Sequence, residues 1–371
     1  MNSTPSRLLT RLDAEIAAQR DPLRADCLRA ERAAYLVRQG YADEAKAELG
    51  ALHQRHDGRP NVEMSAWMNL VESLLSFFSD MGPVALDKMR RARALSEAAG
   101  LTQLHALSAA WLAQMDYIRL DLPAMATHLR DSLGLALPEN HDARARASLV
   151  VAQAYHIAER LDLALPWYSR VREHAAANGD DATISALMHN MASIRYANIR
   201  NAAFTGMREH SEGEHALLAA ESTWTFDQLA GVKGQGSYVP LLHAQILSLE
   251  GRYSEALSLY AEHLQSAMSQ GIQRLRGNLL ADQAWCRLQL GQRAAALEDA
   301  SAAEDSLAGD GSFDDRAPGF SRLAQVFSAL GDQVAAERNE RSATEMWLGH
   351  SKTQENLLSS LRSVVGAHST P

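Results

Sequence analysis

Residues 241–264 read LLHAQILSLEGRYSEALSLYAEHL. The stretch predicts two helices joined by a tight turn. Ala244 puts a small side chain on the first helix. Gly251 ends that helix, because a residue without Cβ takes a positive φ at little cost. Tyr253, Ala256 and Tyr260 then open a second amphipathic helix. A hairpin of this kind has an apolar face that it cannot bury by itself, so it calls for stacked neighbours.

The neighbours are found by stepping about forty residues from Ala256. Forward lie Ala296 and Ala336; on the N-terminal side the same frame gives Ala45, Ala85, Met125, Ala164 and Phe204, with an extra twelve residues between Phe204 and Ala256. Twelve residues before each of these anchors, where a first helix would cross its partner, stand Ala33, Ser73, Ala113, Ala152, Ala192, Ala244, Ala284 and Ala324, all small. Fifteen residues after the first seven anchors come Pro60, Gly100, Asn140, Gly179, Ala219, Gly271 and Gly311. All but Ala219 are breakers or helix C-cap residues. The turn inside each unit is less regular: Gly40, Gly251, Gly291 and Gly331 fit, whereas Asp80, Leu120, Glu159 and Ile199 do not.

A period near forty suits HEAT or armadillo repeats as well. The small residue, glycine and second small residue at fixed offsets resemble the tetratricopeptide (TPR) unit with lengthened helices. The expected fold is therefore all-α: a right-handed TPR-like superhelix, or α-solenoid, of about eight helix-turn-helix units. Residues 1–23 are expected to form an N-terminal capping helix that ends at Asp21-Pro22. Units one to five occupy 24–220, an inserted loop 221–237, and units six to eight 238–350. Residues 351–371 hold a C-terminal helix, separate or continuing the last one, and a tail.

Composition agrees with helix: 46% of the 371 residues are apolar and there are only 10 prolines. A net charge of −9 lacks the basic footprint of a nucleic-acid partner. Cys27 and Cys286 belong to no metal-type spacing and read as buried thiols in a reducing compartment. The first residues have no apolar signal core, and no window approaches the roughly 18 apolar residues of a membrane span. The expectation is a cytoplasmic protein with no membrane partner and no cofactor.

The resemblance to TPR units implies that the residue one place after each small crossing residue often faces the ligand, and this gives the candidate binding residues. One place after the small crossing residues stand Ala34, Leu74, Gln114, Gln153, Ser193, Gln245, Trp285 and Gln325; three residues on come Val37, Phe77, Tyr117, His156, Tyr196, Ser248, Leu288 and Ser328. Central units thus pair an amide or hydroxyl with an aromatic ring or imidazole. His189 and Asn190 lie one turn earlier in the fifth unit. Amides can pair with an extended peptide backbone, and aromatic faces add contact area. The expected ligand groove comprises Gln114, Tyr117, Gln153, His156, His189, Asn190, Ser193, Tyr196 and Gln245. The bland alternative, a solvated face of good helix formers with tyrosines filling gaps between helices, stays open.

Other signals are weaker. In ESTWTFDQLAGVKGQGS (221–237), Gly231, Gly234 and Gly236 surround Lys233, but the P-loop pattern is absent. A connector with Trp224 and Phe226 tucked onto the array is the expectation. His53 with His56, and His210 with His215, lack complete metal-ligand sets. No nucleophile elbow or HExxH motif appears. Ala343, His350, Leu357 and Val364 repeat every seven residues, which suits either a dimerising helix or a cap on the last unit with Trp347 in contact.

The forty-residue spacing is similar to that of two bacterial groups: peptide-sensing regulators of Gram-positive bacteria, and TPR input regions ahead of GGDEF domains. The Ala/Arg-rich composition looks more like the second, although no GGDEF motif is present. The resemblance implies a non-enzymatic signalling scaffold or sensor that holds a protein or peptide partner in its inner groove. The alternatives are a regulator that forms a homodimer through its C-terminal helix, and a metal-dependent enzyme using the segment around His210.

Overall fold

The computed structural model describes residues 6–79, 82–205, 212–233, 238–269, 273–309 and 311–366. They form seventeen α-helices and one short 3-10 turn, with no strand among the described residues. After α1 (Arg7–Ala18) the helices come in pairs: α2 (Pro22–Arg38) with α3 (Ala42–His56), α4 (Val62–Ser79) with α5 (Pro83–Ala98), α6 (Thr102–Ile118) with α7 (Leu122–Leu135), and α8 (His141–Ile157) with α9 (Leu161–Asn178). Next come α10 (Asp181–Thr205) and α11 (Glu212–Ala230), then α12 (Tyr238–Leu249) with α13 (Tyr253–Ser269) and α14 (Arg276–Gln289) with α15 (Arg293–Leu307). The chain closes with α16 (Phe313–Leu330) and α17 (Gln333–Val365).

The pairing follows from the small residues. Ala33, Ser73, Ala113, Ala152, Ala192, Ala244 and Ala284 are all buried, as are the anchors Ala45, Ala85, Met125, Ala164, Ala256, Ala296 and Ala336. At the second pair the two positions touch: the Ser73 hydroxyl donates to the Ala85 carbonyl at 2.6 Å. Helix backbones can come this close only where side chains are short. Apolar residues fill the spaces around these crossings, among them Leu52, Met64, Leu70 and Met89, each fully buried, and each such side chain stabilises the fold by about 1.5–3 kcal/mol.

The turns inside six of the helix pairs share one hydrogen-bond pattern. The N–H of Tyr41, Asp121, Arg160, Arg252, Gln292 and Asp332 each donates to the carbonyl five residues back, at 2.9–3.0 Å. This is the Schellman closure, which needs a left-handed residue just before the donor. Gly40, Gly251, Gly291 and Gly331 supply it with φ of 86°, 78°, 77° and 88°. Leu120 and Glu159 adopt the same conformation at φ 58° and 57° without being glycine. Asp80 lies outside the described residues.

At Ile199 no turn forms at all. α10 runs on for 25 residues, so Phe204 sits in its last turn and is not the crossing residue of a second helix. With α10 ending at Thr205, its partner is displaced along the sequence to α11. Ala220 of α11 packs with Ala192, Tyr196 and Ile199 of α10 and with Leu242 and Ile246 of α12. Residues 221–230, expected in a loop, form the second half of α11.

The N-terminal helix α1 packs through Leu8 and Leu12 against Leu28, Tyr35 and Ala182. Asp21-Pro22 begins α2 instead of ending α1: the Asp21 carboxylate accepts from the Leu23 N–H and Pro22 occupies the first turn. α17 continues without a break for 33 residues. Gly349 lies inside it because Phe313 packs there, 2.5 Å from where a Cβ would stand.

The chain divides into two compact units. One comprises Met1–Asn190, Thr225–Gly234 and Asn356–Pro371; the other Met191–Trp224 and Gln235–Glu355.

Candidate functional site

In the first unit, α2, α4, α6 and α8 turn one face onto a small cleft of about 20 Å³, room for about one water. α2 contributes Glu31, Ala34 and Arg38; α4 contributes Trp67, Leu70 and Leu74; α6 contributes Leu107 and Trp111; α8 contributes Asp142 and Arg146. Relative to each small crossing residue these fall mainly at positions −6, −2, +1 and +5, a stripe that three- and four-residue steps keep on one side of a helix. The +1 line chosen from the sequence belongs to it, through Ala34 and Leu74. The chemistry sits at the other positions of the stripe.

Two arginines meet here, one ion-paired and one not. Arg38 donates to Asp180, which also accepts from the N–H and hydroxyl of Thr183 at 2.9 and 2.8 Å. Burial alone would weaken the charge of Arg38, yet the neighbouring Asp180 and Asp142 hold its pKa above the ordinary arginine value. Arg146 is 8% exposed and stacks its guanidinium 4.0 Å from the centre of the Trp111 ring. Among the described residues none hydrogen-bonds or ion-pairs with that guanidinium. Burial, with Arg38 nearby, pushes the pKa of Arg146 down to about 9. Asp142 is occupied by the amide of Asn178 at 2.5 Å, and burial raises its pKa. Glu31 is pushed up to about 7 by burial and by Asp142.

None of the nine residues expected in the groove lines this cleft. Gln114 and Gln153 are buried on the same face of α6 and α8, and the Oε1 of each lacks a hydrogen-bond partner among the described residues. Tyr117 and Asn190 are half-buried. His156 bonds through Nδ1 to the hydroxyl of Tyr168 on its own second helix, at 3.0 Å. His189 is paired through Nε2 with Asp227 at 2.7 Å, and both are buried. The +4 line is thus mostly packing: Val37, Phe77, His156, Tyr196 and Ser248 are all buried.

Ser193, Tyr196 and Gln245 belong to the second unit. Ser193 is half-buried. Gln245 donates to Asp282 at 3.1 Å, and Asp282 also accepts from Arg200 at 2.8 Å and Arg322 at 3.3 Å. Arg200 donates further to Asn278, and Arg322 donates to Gln325 while stacking near Phe204 and Trp285. Here the charged groups are spent on one another. Asp282 and Arg322 again occupy position −2, as Glu31 and Trp111 do. That recurrence, visible in the sequence, was the signal missed.

The remaining motifs are placed as follows. The backbone of Lys233 donates to the Gln39 carbonyl at 2.8 Å and its ammonium lies 4.4 Å from the centre of the Tyr41 ring, so this lysine is held by the first helix pair. Gly234 and Gly236 lie outside the described residues. Trp224 is exposed and Phe226 half-buried. His53 bonds Glu72 and His56 bonds Asp26, each at 2.9 Å. His210 lies outside the described residues, and His215 is exposed. Among the described residues no group of three or more His, Cys, Asp or Glu could hold a metal ion, and no helix is long and apolar enough to cross a membrane. Trp347 donates to Ser321 of α16, a capping contact, and Ala343, His350, Leu357 and Val364 are all buried within the chain.

No protein-family model matches the chain, and no curated protein matches it by sequence. Among solved structures it is similar to a Rap protein crystallised in complex with competence and sporulation factor, at 15% identity and a TM-score of 0.54, over 90% of this chain and 100% of that one. The likeness shows the fold, a TPR-like helical repeat.

Proposed function

We propose that the protein is a non-enzymatic binding protein, and that the face formed by α2, α4, α6 and α8 receives a short peptide or an extended segment of a partner protein. The observation that carries this reading is a set of polar groups without a partner on that face: the buried Oε1 atoms of Gln114 and Gln153, and the guanidinium of Arg146 on the cleft lining. A buried polar group without a partner costs about 1–3 kcal/mol. An incoming backbone would satisfy the amides, and Trp67 and Trp111 offer sequence-tolerant contact area beside them. The structural neighbour, a Rap protein complexed with competence and sporulation factor, is compatible with a binding role for this fold. Self-association through the C-terminal heptads is less favoured, because that stripe is already buried.

The test is affinity selection from a synthetic hexapeptide library by the intact chain and by a Gln114→Ala/Gln153→Ala variant. Specific peptides retained by the intact chain and lost by at least tenfold in the variant are the expected result. An intact chain that retains no peptide above background would sink the reading.

A further inference from the structure

The cleft of the first unit contains a cation with nothing to bind. Arg146 is more than nine-tenths buried, lines the cleft, and is fixed in orientation by the Trp111 ring 4.0 Å away. Its neighbours are committed elsewhere: Asp180 to Arg38 and Thr183, and Asp142 to Asn178. A guanidinium over an aromatic ring that makes no hydrogen bond to the described residues still has its N–H donors to offer, and they form a fork that matches a carboxylate.

We propose that Arg146 is the anchor for a carboxylate of the bound peptide. This rests on the reading of the same face as the peptide site. The anion is a monoanion, because Glu31 and Asp142 line the cleft and Asp180 already pairs with Arg38, so a doubly charged phosphate would meet carboxyl groups and a cation that is already neutralised. Two parts of a peptide carry that chemistry, its C-terminus and an Asp or Glu side chain. Position −6 on the fourth first-helix thereby supplies charge recognition, while the +1 amides recognise the backbone.

The probes are three synthetic hexapeptide libraries: free C-terminus without acidic residues, amidated with one Asp or Glu, and amidated without acidic residues. Each is offered to the intact chain and to Arg146→Met and Arg146→Lys variants, with urea unfolding recorded for all. The intact chain is expected to retain one or both carboxylate-bearing libraries, and the first two arms tell which source it is. Arg146→Met should lose at least tenfold of that retention while unfolding at the same or a higher urea concentration, since an unpaired buried charge is removed. Arg146→Lys, which keeps the charge and loses the fork, should fall between. Equal retention of all three libraries by intact chain and variants overturns the anchor and leaves the peptide site standing. Lower urea resistance in both variants would make Arg146 a structural cation and also overturns the proposal. No retention of any library removes the peptide site and the anchor together.

Discussion

Arg38 at the end of α2 and Asp180 at the head of α10 form an ion pair across 142 residues of sequence, with side chains only 10% and 1% exposed. The pair ties the first helix hairpin to the start of the fifth. It is also well satisfied, because Asp180 caps α10 through the Thr183 N–H. Removing one partner from such a pair leaves an uncompensated buried charge. Asp180→Asn, which preserves the cap, should therefore destabilise the first unit by about 3 kcal/mol. Adding Arg38→Met should recover more than half of that loss. A double-mutant cycle from urea unfolding measures the coupling; strictly additive effects would mean that the pair does not hold the hairpin in place.

Glu31 should make stability fall as pH rises. Its carboxyl is raised from 4.5 to about 7, chiefly by burial and then by Asp142. A folded-state pKa above the unfolded one means that the folded chain binds the extra proton between pH 4.5 and 7. Stability from this group is complete below pH 4.5 and is lost as pH climbs through 7, by up to about 3 kcal/mol. Glu31→Gln should raise stability at pH 8 and change it little at pH 4. Identical pH profiles for the two proteins would show that Glu31 is solvated in the folded state.

Much of this architecture was legible because backbone packing leaves a trace in residue size. Small side chains at Ala33, Ser73 and Ala113 are needed wherever two helices cross, and the forty-residue frame recovered them. Turns were harder to read. Glycine at Gly40 announces a left-handed residue, but Leu120 and Glu159 adopt the same φ at a cost of about 1–2 kcal/mol, so residue type alone did not reveal them. At Ile199 the missing glycine meant a missing turn, which moved Phe204 onto α10. The lining of the cleft was partly legible: Ala34 and Leu74 at position +1 lie on it, while the charges at −2 and −6 depend on which helices meet, and Arg38 with Asp180 is a contact that no local pattern encodes.

Gly277 and Gly319 bracket Leu307. A Cβ on Gly277 would lie 2.6 Å from Leu307 Cγ and 3.1 Å from its backbone nitrogen, and one on Gly319 would lie 2.8 Å from Leu307 Cδ1. Alanine normally improves a helix interior by about 1 kcal/mol over glycine. Here overpacking should reverse the sign, making Gly277→Ala destabilising by about 1–3 kcal/mol. Leu307→Ala opens space for the end of its side chain but leaves the backbone nitrogen in place. Combining it with Gly319→Ala should therefore cost less than the sum, and combining it with Gly277→Ala should recover less. Thermal unfolding of the five variants decides; a stabilising Gly277→Ala would mean that α14 and α15 have room to part.

The two cysteines should report separately on the two units. Cys27 lies in the first, 2% exposed, with its thiol pushed up to about 12 by burial and by Glu63. Cys286 lies in the second, fully buried; its thiol donates to Ser248 at 3.2 Å and burial pushes it up to about 11. Alkylation requires the exposed thiolate, so neither should react with iodoacetamide in the folded chain at pH 7.5, and each should react once its surroundings open. Mass spectrometry of peptides containing each cysteine, after pulses of iodoacetamide across a urea series, gives one opening curve per unit. Asp180→Asn should move the Cys27 curve to lower urea and leave that of Cys286 nearly in place, while Gly277→Ala should do the reverse. If every variant moved both curves together, the two units would unfold as one cooperative block; rapid labelling of either cysteine without urea would contradict its burial.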